Sequence, residues 1–226
     1  MSATVLLLLL ASDVGSVPNA SRPNVVGVTA GLDGAPLTLR AMAGRVLTRF
    51  HRRRAFVSGA FDLPMAAAGG GDWRLRFGGR FDAVRWRGVA LPVRLEASVR
   101  RLSNRSVRAT GLGTELSAMP GWYAPRWFVA AEASWDHAWG VHLDHSDAYR
   151  AIVNEGVVDG WYRMPGWTLR YGARVGGLPL RWLEVWLRAG YEQHGRFDRL
   201  APPVYGMLGL NVRLSRTARR TLRRPR

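Results

Sequence analysis

The feature that most constrains the fold of this chain is a two-residue alternation of apolar and polar side chains from Trp167 to Leu214. Three segments carry it, and in each segment an apolar row alternates with a row that mixes Gly, Arg, Glu and Asn. Turn residues separate the segments, first at 176–179 and then at 193–203. Because successive side chains of a β-strand point to opposite faces, the pattern predicts three strands, each with one apolar and one charged face.

The same period recurs through most of the preceding chain, starting near Val25, and it is clearest in 73–83, 89–100 and 127–137. Asp33-Gly34 and Arg87-Gly88 read as hairpin turns. Pro92 cannot donate to a ladder, which argues against a central position for its strand. The period disappears between Trp139 and Pro165, where 144–153 has helical character. We count about ten strands, within limits of about eight and twelve, and an even number joined by hairpins suits a closed antiparallel barrel.

Composition narrows the classes of protein that fit. The chain of 226 residues has no Cys, so disulfides and thiolate chemistry are excluded, and it has no apolar run long enough for a transmembrane helix. The formal net charge is +17, and all 33 basic residues are Arg. Such a charge suits nucleic acid, an anionic membrane surface or anionic solutes. Nucleic acid is not expected, because many Arg residues alternate with apolar ones instead of gathering on one surface.

The alternating segments, with Trp and Tyr near their ends, resemble the C-terminal strands of bacterial outer-membrane β-barrel proteins. The resemblance is one of pattern, and it implies an all-β, antiparallel, up-and-down transmembrane β-barrel in the outer membrane of a Gram-negative bacterium. The implied partners are the lipid bilayer and anionic lipid headgroups, with small anionic solutes as a further class. Residues 24–214 would form the barrel. Residues 1–23 are interpreted as a leader or degenerate signal-like segment, and 215–226 as a basic tail.

If the apolar rows face lipid, the charged rows line the interior. Burying an isolated charge costs many kcal/mol, so these side chains must pair across strands or be solvated. Two interpretations stay open, a salt-bridged filling of the barrel or a narrow passage whose positive potential favours anions. The predicted interior residues are Arg74, Arg76, Arg80, Asp82, Arg94, Glu96, Glu132, Arg170, Arg174, Glu184, Arg188 and Arg213.

A second group of polar residues lies where the period is lost, at His142, Asp144, His145 and Asp147. Imidazole and carboxylate groups at this density can bind zinc or supply a base with its orienting partner. No established metal spacing is matched, so we assign neither a metal nor a cofactor, and no catalytic residue. The segment is either a polar surface loop with a capped short helix or a hydrolase site within 139–165.

Aromatic residues gather near predicted strand ends and corners. They would form an interfacial belt in a membrane barrel, although stacked on Arg they would also suit sugars or single-stranded nucleic acid. Their positions favour the belt. The set comprises Trp122, Tyr123, Trp127, Trp135, Trp139, Trp161, Tyr162 and Trp167.

The sequence therefore predicts an integral outer-membrane β-barrel with a structural or narrow anion-favouring channel role, and no enzyme activity is assigned. The main alternative is a soluble ligand-binding barrel of the lipocalin type. That alternative requires the apolar rows to point inward and the charged rows outward, so the orientation of the rows distinguishes the two.

Overall fold

The computed structural model describes residues 23–33, 37–50, 53–65, 71–153, 157–195 and 203–215. Nearly all of the expected leader and basic tail lie outside these residues. The described part of the chain is almost entirely β-strand, with one short helix. The strands are β1 (Asn24–Leu32), β2 (Leu37–Phe50), β3 (Arg53–Pro64), β4 (Trp73–Trp86), β5 (Val89–Ser103), β6 (Val107–Ala118), β7 (Gly121–Tyr123), β8 (Trp127–His145), β9 (Gly160–Leu180), β10 (Leu183–His194) and β11 (Val204–Leu214), and the helix is α1 (Asp147–Val153). Within the described ranges, no helix has the length and apolar character needed to cross a membrane.

The strands close into an antiparallel barrel of ten strands. Apart from β6 and β7, strands that are consecutive in sequence pair with each other, and β6 pairs with β8. The barrel is closed by β1 and β11, in a register that runs from Asn24 opposite Leu214 to Leu32 opposite Gly206. The short β7 bridges β5 and β8 beyond the end of β6. The predicted all-β class, antiparallel arrangement and number of strands are therefore confirmed.

The two ends of the barrel differ in their connections. At the terminal end, where β1 begins and β11 ends, Arg87-Gly88 and Arg181-Trp182 each join two strands directly. Arg87 has φ 44° and Gly88 φ 92°, the positive values that a two-residue type I′ hairpin turn requires. At the opposite end, called the loop end, the connections at 146–159 and 195–203 are longer, and the first of them contains α1.

Pro92 lies within a strand that is paired on both sides, contrary to the prediction that it argues against a central position. It is opposite Asp82, where the register between β4 and β5 shifts. Its carbonyl oxygen accepts a hydrogen bond from the backbone N–H of Met119 at 2.9 Å, just beyond the end of β6. The missing N–H is tolerated because it falls at an irregularity in the ladder.

The loss of periodicity after Trp139 has a similar cause. The strand β8 continues to His145, and its register against both β6 and β9 shifts near Ala138 and Gly140. Such a bulge changes which residues share a face, so the alternation is broken although the strand is not. The aperiodic segment is consequently shorter than expected, at 146–159.

The apolar rows point outward and the charged rows inward. Leu95 and Val28 are each 58% exposed, and Leu208 is 53% exposed. By contrast, Arg94 and Glu96, which flank Leu95 in β5, are each only 1% exposed. The barrel therefore has an apolar outer surface and a polar interior.

Candidate functional site

All of the predicted interior residues except Arg74 are buried. The Arg74 side chain is 12% exposed and lies toward the loop end. Their burial fits the two-residue period, since every second side chain of a barrel strand points to the same face.

Three carboxylates and four guanidinium groups form what we call the central ion cluster. Its members are Asp33, Asp62 and Glu115 together with Arg40, Arg76, Arg94 and Arg170. Arg76 links the three carboxylates, with Nε 2.8 Å from Asp62, Nη1 2.7 Å from Glu115 and Nη2 3.0 Å from Asp33. Arg40 adds contacts of 2.6 Å to Asp62 and 2.8 Å to Asp33. Charges that share partners in this way stay ionised away from water because each carboxylate is contacted by more than one cation.

Four residues of this cluster were not among the predicted interior residues: Asp33, Arg40, Asp62 and Glu115. Arg40, Asp62 and Glu115 occupy inward positions of strands whose alternation is weak, so a strict application of the two-residue period would have found them. Asp33 has no such signal. It follows the last residue of β1 and was predicted only as part of a turn, yet its side chain is 6% exposed and contacts Arg40 and Arg76.

Toward the terminal end the interior is partly apolar. The apolar plug comprises Ala90, Met119, Tyr123, Phe128, Ala130, Trp186 and Met207. The guanidinium group of Arg174 stacks over the Trp186 ring at 3.9 Å from its centroid. Near the plug, Arg213 lies 2.5 Å from Glu184 and Arg188 lies 3.1 Å from Glu132. The interior is thus filled with packed and paired side chains.

The predicted aromatic set divides. Most of its members are exposed on the outer face, but Tyr123 is only 7% exposed and belongs to the plug. Its hydroxyl donates to the carbonyl oxygen of Met119 at 2.9 Å, and its ring stacks on Phe128 with centroids 5.7 Å apart. Tyr123 therefore does not contribute to an outer belt. Its place at the end of β7, a strand too short to show periodicity, explains why its direction was not predicted.

The polar group in the loop does not converge on one site. His145 Nδ1 is 2.9 Å from Asp159, not from Asp147, and His142 Nδ1 is 3.4 Å from Asp144. Asp147 opens α1, and the hydroxyl of Ser146 accepts the backbone N–H of Tyr149 at 3.2 Å as a helix cap. In the described residues no group of three or more His, Cys, Asp and Glu is arranged to hold a metal. The segment has the geometry of a polar loop with a capped short helix.

Asp159 makes several of the polar contacts of that loop. It accepts the backbone N–H and a side-chain hydrogen bond of His145, and Arg150 forms an ion pair with it. These hydrogen bonds, from the His145 backbone first, lower the pKa of Asp159 from 3.8 to about 2. While it is ionised, the Asp159 carboxylate therefore connects α1, through Arg150, to the end of β8, through His145.

A second polar group lies at the loop end of the inner wall, and we call it the rim trio: Thr168, Glu192 and His194. His194 Nε2 is 2.7 Å from Glu192 Oε1, and its Nδ1 is 3.1 Å from the hydroxyl oxygen of Thr168. Glu192 Oε2 accepts from Arg170 Nε at 2.5 Å, which connects the trio to the central ion cluster. None of the trio is among the twelve predicted interior residues.

Comparison of the chain with protein-family models gave no match, and no curated protein matches it closely enough to be considered a relative. The geometry of the barrel is therefore the basis on which its function is assigned.

Proposed function

We propose that this protein is an integral outer-membrane β-barrel with a structural role and a closed, ion-paired interior. The observation that carries the proposal is the polarity of the wall: exposed apolar rows outside and buried charges inside. Monomeric soluble proteins rarely expose contiguous apolar patches larger than a few hundred Å². A bilayer is the environment in which an apolar girdle around a barrel lowers the free energy, because the girdle is then removed from water.

The dimensions and ends of the barrel support the same proposal. A tilted strand of about ten residues crosses the hydrocarbon core of a bilayer, and β5 has 15 residues. Short turns at one end and longer connections at the other are typical of outer-membrane barrels. Exposed Trp residues lie toward both ends, with Trp86 65% exposed at the terminal end and Trp161 62% exposed at the loop end. Amphipathic rings at two levels suit the two membrane interfaces.

A soluble ligand-binding barrel is less well supported. Such a barrel holds an apolar ligand in an apolar interior, whereas this interior contains the central ion cluster.

We favour the structural role over the anion-favouring channel because of how the interior is filled. Arg94, Arg174 and Glu184, which lie on three different strands, are 1%, 2% and 0% exposed. A water-filled passage would leave such side chains in contact with solvent. Purified protein inserted in a planar bilayer is therefore expected to give no steady single-channel conductance in chloride solution, and regular conductance steps would contradict a closed interior.

Membrane insertion is tested by one outward substitution with a matched control. Leu95→Arg places a charge near the middle of the outer face of β5, which in a bilayer costs about 2–4 kcal/mol and in a soluble barrel costs almost nothing. Ile152→Arg changes an 83% exposed residue of α1, outside the barrel wall. We expect only Leu95→Arg to lower the midpoint of urea unfolding in lipid vesicles. Recovery of the wild-type protein as a soluble species without detergent would refute the proposal.

A further inference from the structure

The rim trio has the arrangement of a nucleophile, a base and an orienting acid. We propose that Thr168, His194 and Glu192 hydrolyse carboxylic esters at the loop end of the barrel, with Thr168 as nucleophile and His194 as general base. The choice of a lipid ester as substrate rests on the membrane location proposed above. The catalytic assignment itself rests only on the geometry of the trio.

The hydrogen bonds of His194 define its role. The Nε2 proton donates to Glu192 Oε1 at 2.7 Å, which leaves the lone pair of Nδ1 to accept the Thr168 hydroxyl proton at 3.1 Å. A hydroxyl bonded to an imidazole that is itself oriented by a carboxylate is the recurrent geometry of an activated oxygen nucleophile. Since both ring nitrogens have partners, a flipped ring would lose both hydrogen bonds.

The acid is fixed while the base is accessible. The Glu192 side chain is 3% exposed and is held by Arg170 Nε at 2.5 Å, so its orientation toward His194 is constrained. The His194 side chain is 45% exposed. A substrate can therefore reach the imidazole and the hydroxyl from the loop end without disturbing the buried ion pair.

Two cationic groups contact the residue that lies opposite the nucleophile. Thr168 is directly opposite Asp136 in the register of β8 and β9. The Asp136 carboxylate is contacted by Arg74 at 2.9 Å and by Arg100 at 3.1 Å. The Arg100 side chain is 31% exposed, although its Nε is buried. In the proposed reaction, the exposed part of the Arg100 side chain stabilises the negative charge that develops on the ester oxygen during attack.

The reaction balances with water as the only co-reactant. The Thr168 oxygen adds to the ester carbonyl carbon while its proton passes to His194 Nδ1. Collapse of the tetrahedral intermediate breaks the bond to the alcohol, which leaves with that proton, and the acyl group stays on Thr168. Water then adds to the acyl carbon and gives a proton to Nδ1. The second collapse returns this proton to Thr168 and releases the carboxylic acid.

The surroundings favour an ester of an anionic lipid. Trp167 and Tyr191, which precede Thr168 and Glu192, are 37% and 57% exposed on the outer face. Acyl chains that lie against this face would bring their ester bonds to the rim, where Arg100 attracts a phosphate-bearing headgroup.

The test uses the refolded full chain in detergent micelles with p-nitrophenyl butyrate, and in parallel with phosphatidylglycerol vesicles. Thr168→Val keeps the shape of the side chain and removes the hydroxyl, and we expect it to lower both hydrolysis rates at least about 100-fold. Thr110→Val is the matched control, since Thr110 faces His142 across β6 and β8, and it should keep the wild-type rates. His194→Gln provides a second test of the base and should also lose activity. Heat-dependent gel mobility verifies that each variant is folded.

The outcomes separate this proposal from the proposed membrane location. If the folded, membrane-inserted protein hydrolyses neither substrate, the catalytic site is overturned and the location is left intact. The same holds if the Thr168→Val variant hydrolyses the substrates at the wild-type rate. Hydrolysis of p-nitrophenyl butyrate by a protein that is soluble without detergent supports the site and overturns the location. If p-nitrophenyl butyrate is hydrolysed and phosphatidylglycerol is not, the result supports the catalytic site and overturns the choice of a lipid ester as substrate. Labelling by a fluorophosphonate probe should appear on the peptide that contains Thr168.

Discussion

Replacing Glu115 with Gln tests whether the interior is held together by charge. Glu115 is 2% exposed and receives Arg76 Nη1 and Arg94 Nη2, each at 2.7 Å. Arg170 and Arg74 lie farther from it, at 3.7 and 3.9 Å. Gln has nearly the same volume, so the substitution removes the negative charge and leaves a neutral amide among guanidinium groups.

The expected cost follows from the two short contacts. A hydrogen bond to a charged group contributes about 1.5–3 kcal/mol, so two of them give about 3–6 kcal/mol. Breaking one side of a buried ion pair typically costs about 3–5 kcal/mol, which agrees with this range. Since a domain is stable by only about 5–15 kcal/mol, Glu115→Gln should lower the urea midpoint strongly. The measurement is equilibrium unfolding in lipid vesicles, followed by Trp fluorescence.

Glu96 provides the control within the same interior. It lies directly opposite Glu115 in the register of β5 and β6 and is equally buried. Its carboxylate is 3.9 Å from both Arg76 and Arg94, and neither oxygen has a hydrogen-bond partner among the described residues. We expect Glu96→Gln to cost less than half as much as Glu115→Gln. Equal effects, or a loss below about 1 kcal/mol for Glu115→Gln, would mean that water solvates these charges and that the interior is not closed.

Two further predictions concern packing and pH. Gly209→Ala should destabilise the barrel by about 1–3 kcal/mol in unfolding experiments, because a Cβ there would lie 2.2 Å from the Trp186 ring. Gly206→Ala in the same strand is the control. A Cβ at this position meets nothing nearer than 3.9 Å, so this variant should be as stable as the wild type. Because the folded pKa of Asp159 is lowered from 3.8 to about 2, its contribution is complete above pH 4 and is lost as the pH falls toward 2. Limited proteolysis or hydrogen exchange of the α1 segment should therefore increase as the pH falls over that range. The Asp159→Asn variant should show no such pH dependence. Unchanged protection of α1 at pH 2 in the wild-type protein would contradict this prediction.

Much of the wall could be predicted from the sequence because one physical rule governs it. A strand with one buried polar face and one exposed apolar face alternates at every residue, as in β5 and β10. The rule failed where the ladder is irregular. At Ala138 and Gly140 a bulge shifts the period, and at Pro92 the local irregularity accommodates a residue that would disrupt a regular ladder.

The contacts inside the barrel were less predictable. Alternation states which face a side chain is on, but the partner of that side chain depends on the register between strands. Thr168 and His194 lie on adjacent strands and are in contact because of that register. Their separation of 26 residues in the sequence does not predict the contact. Asp33 lies beyond the end of its strand, and the closed barrel brings its carboxylate to the distant Arg170.

The seam between β1 and β11 has a consequence for how the molecule is made. Its partners, such as Asn24 and Leu214, are almost the full length of the described chain apart. Until β11 is synthesised, β1 has an uncovered edge able to pair with strands of other molecules. Contacts this distant in sequence also make folding slow. The β1 edge is therefore the part of the barrel most open to pairing between molecules until β11 is in place.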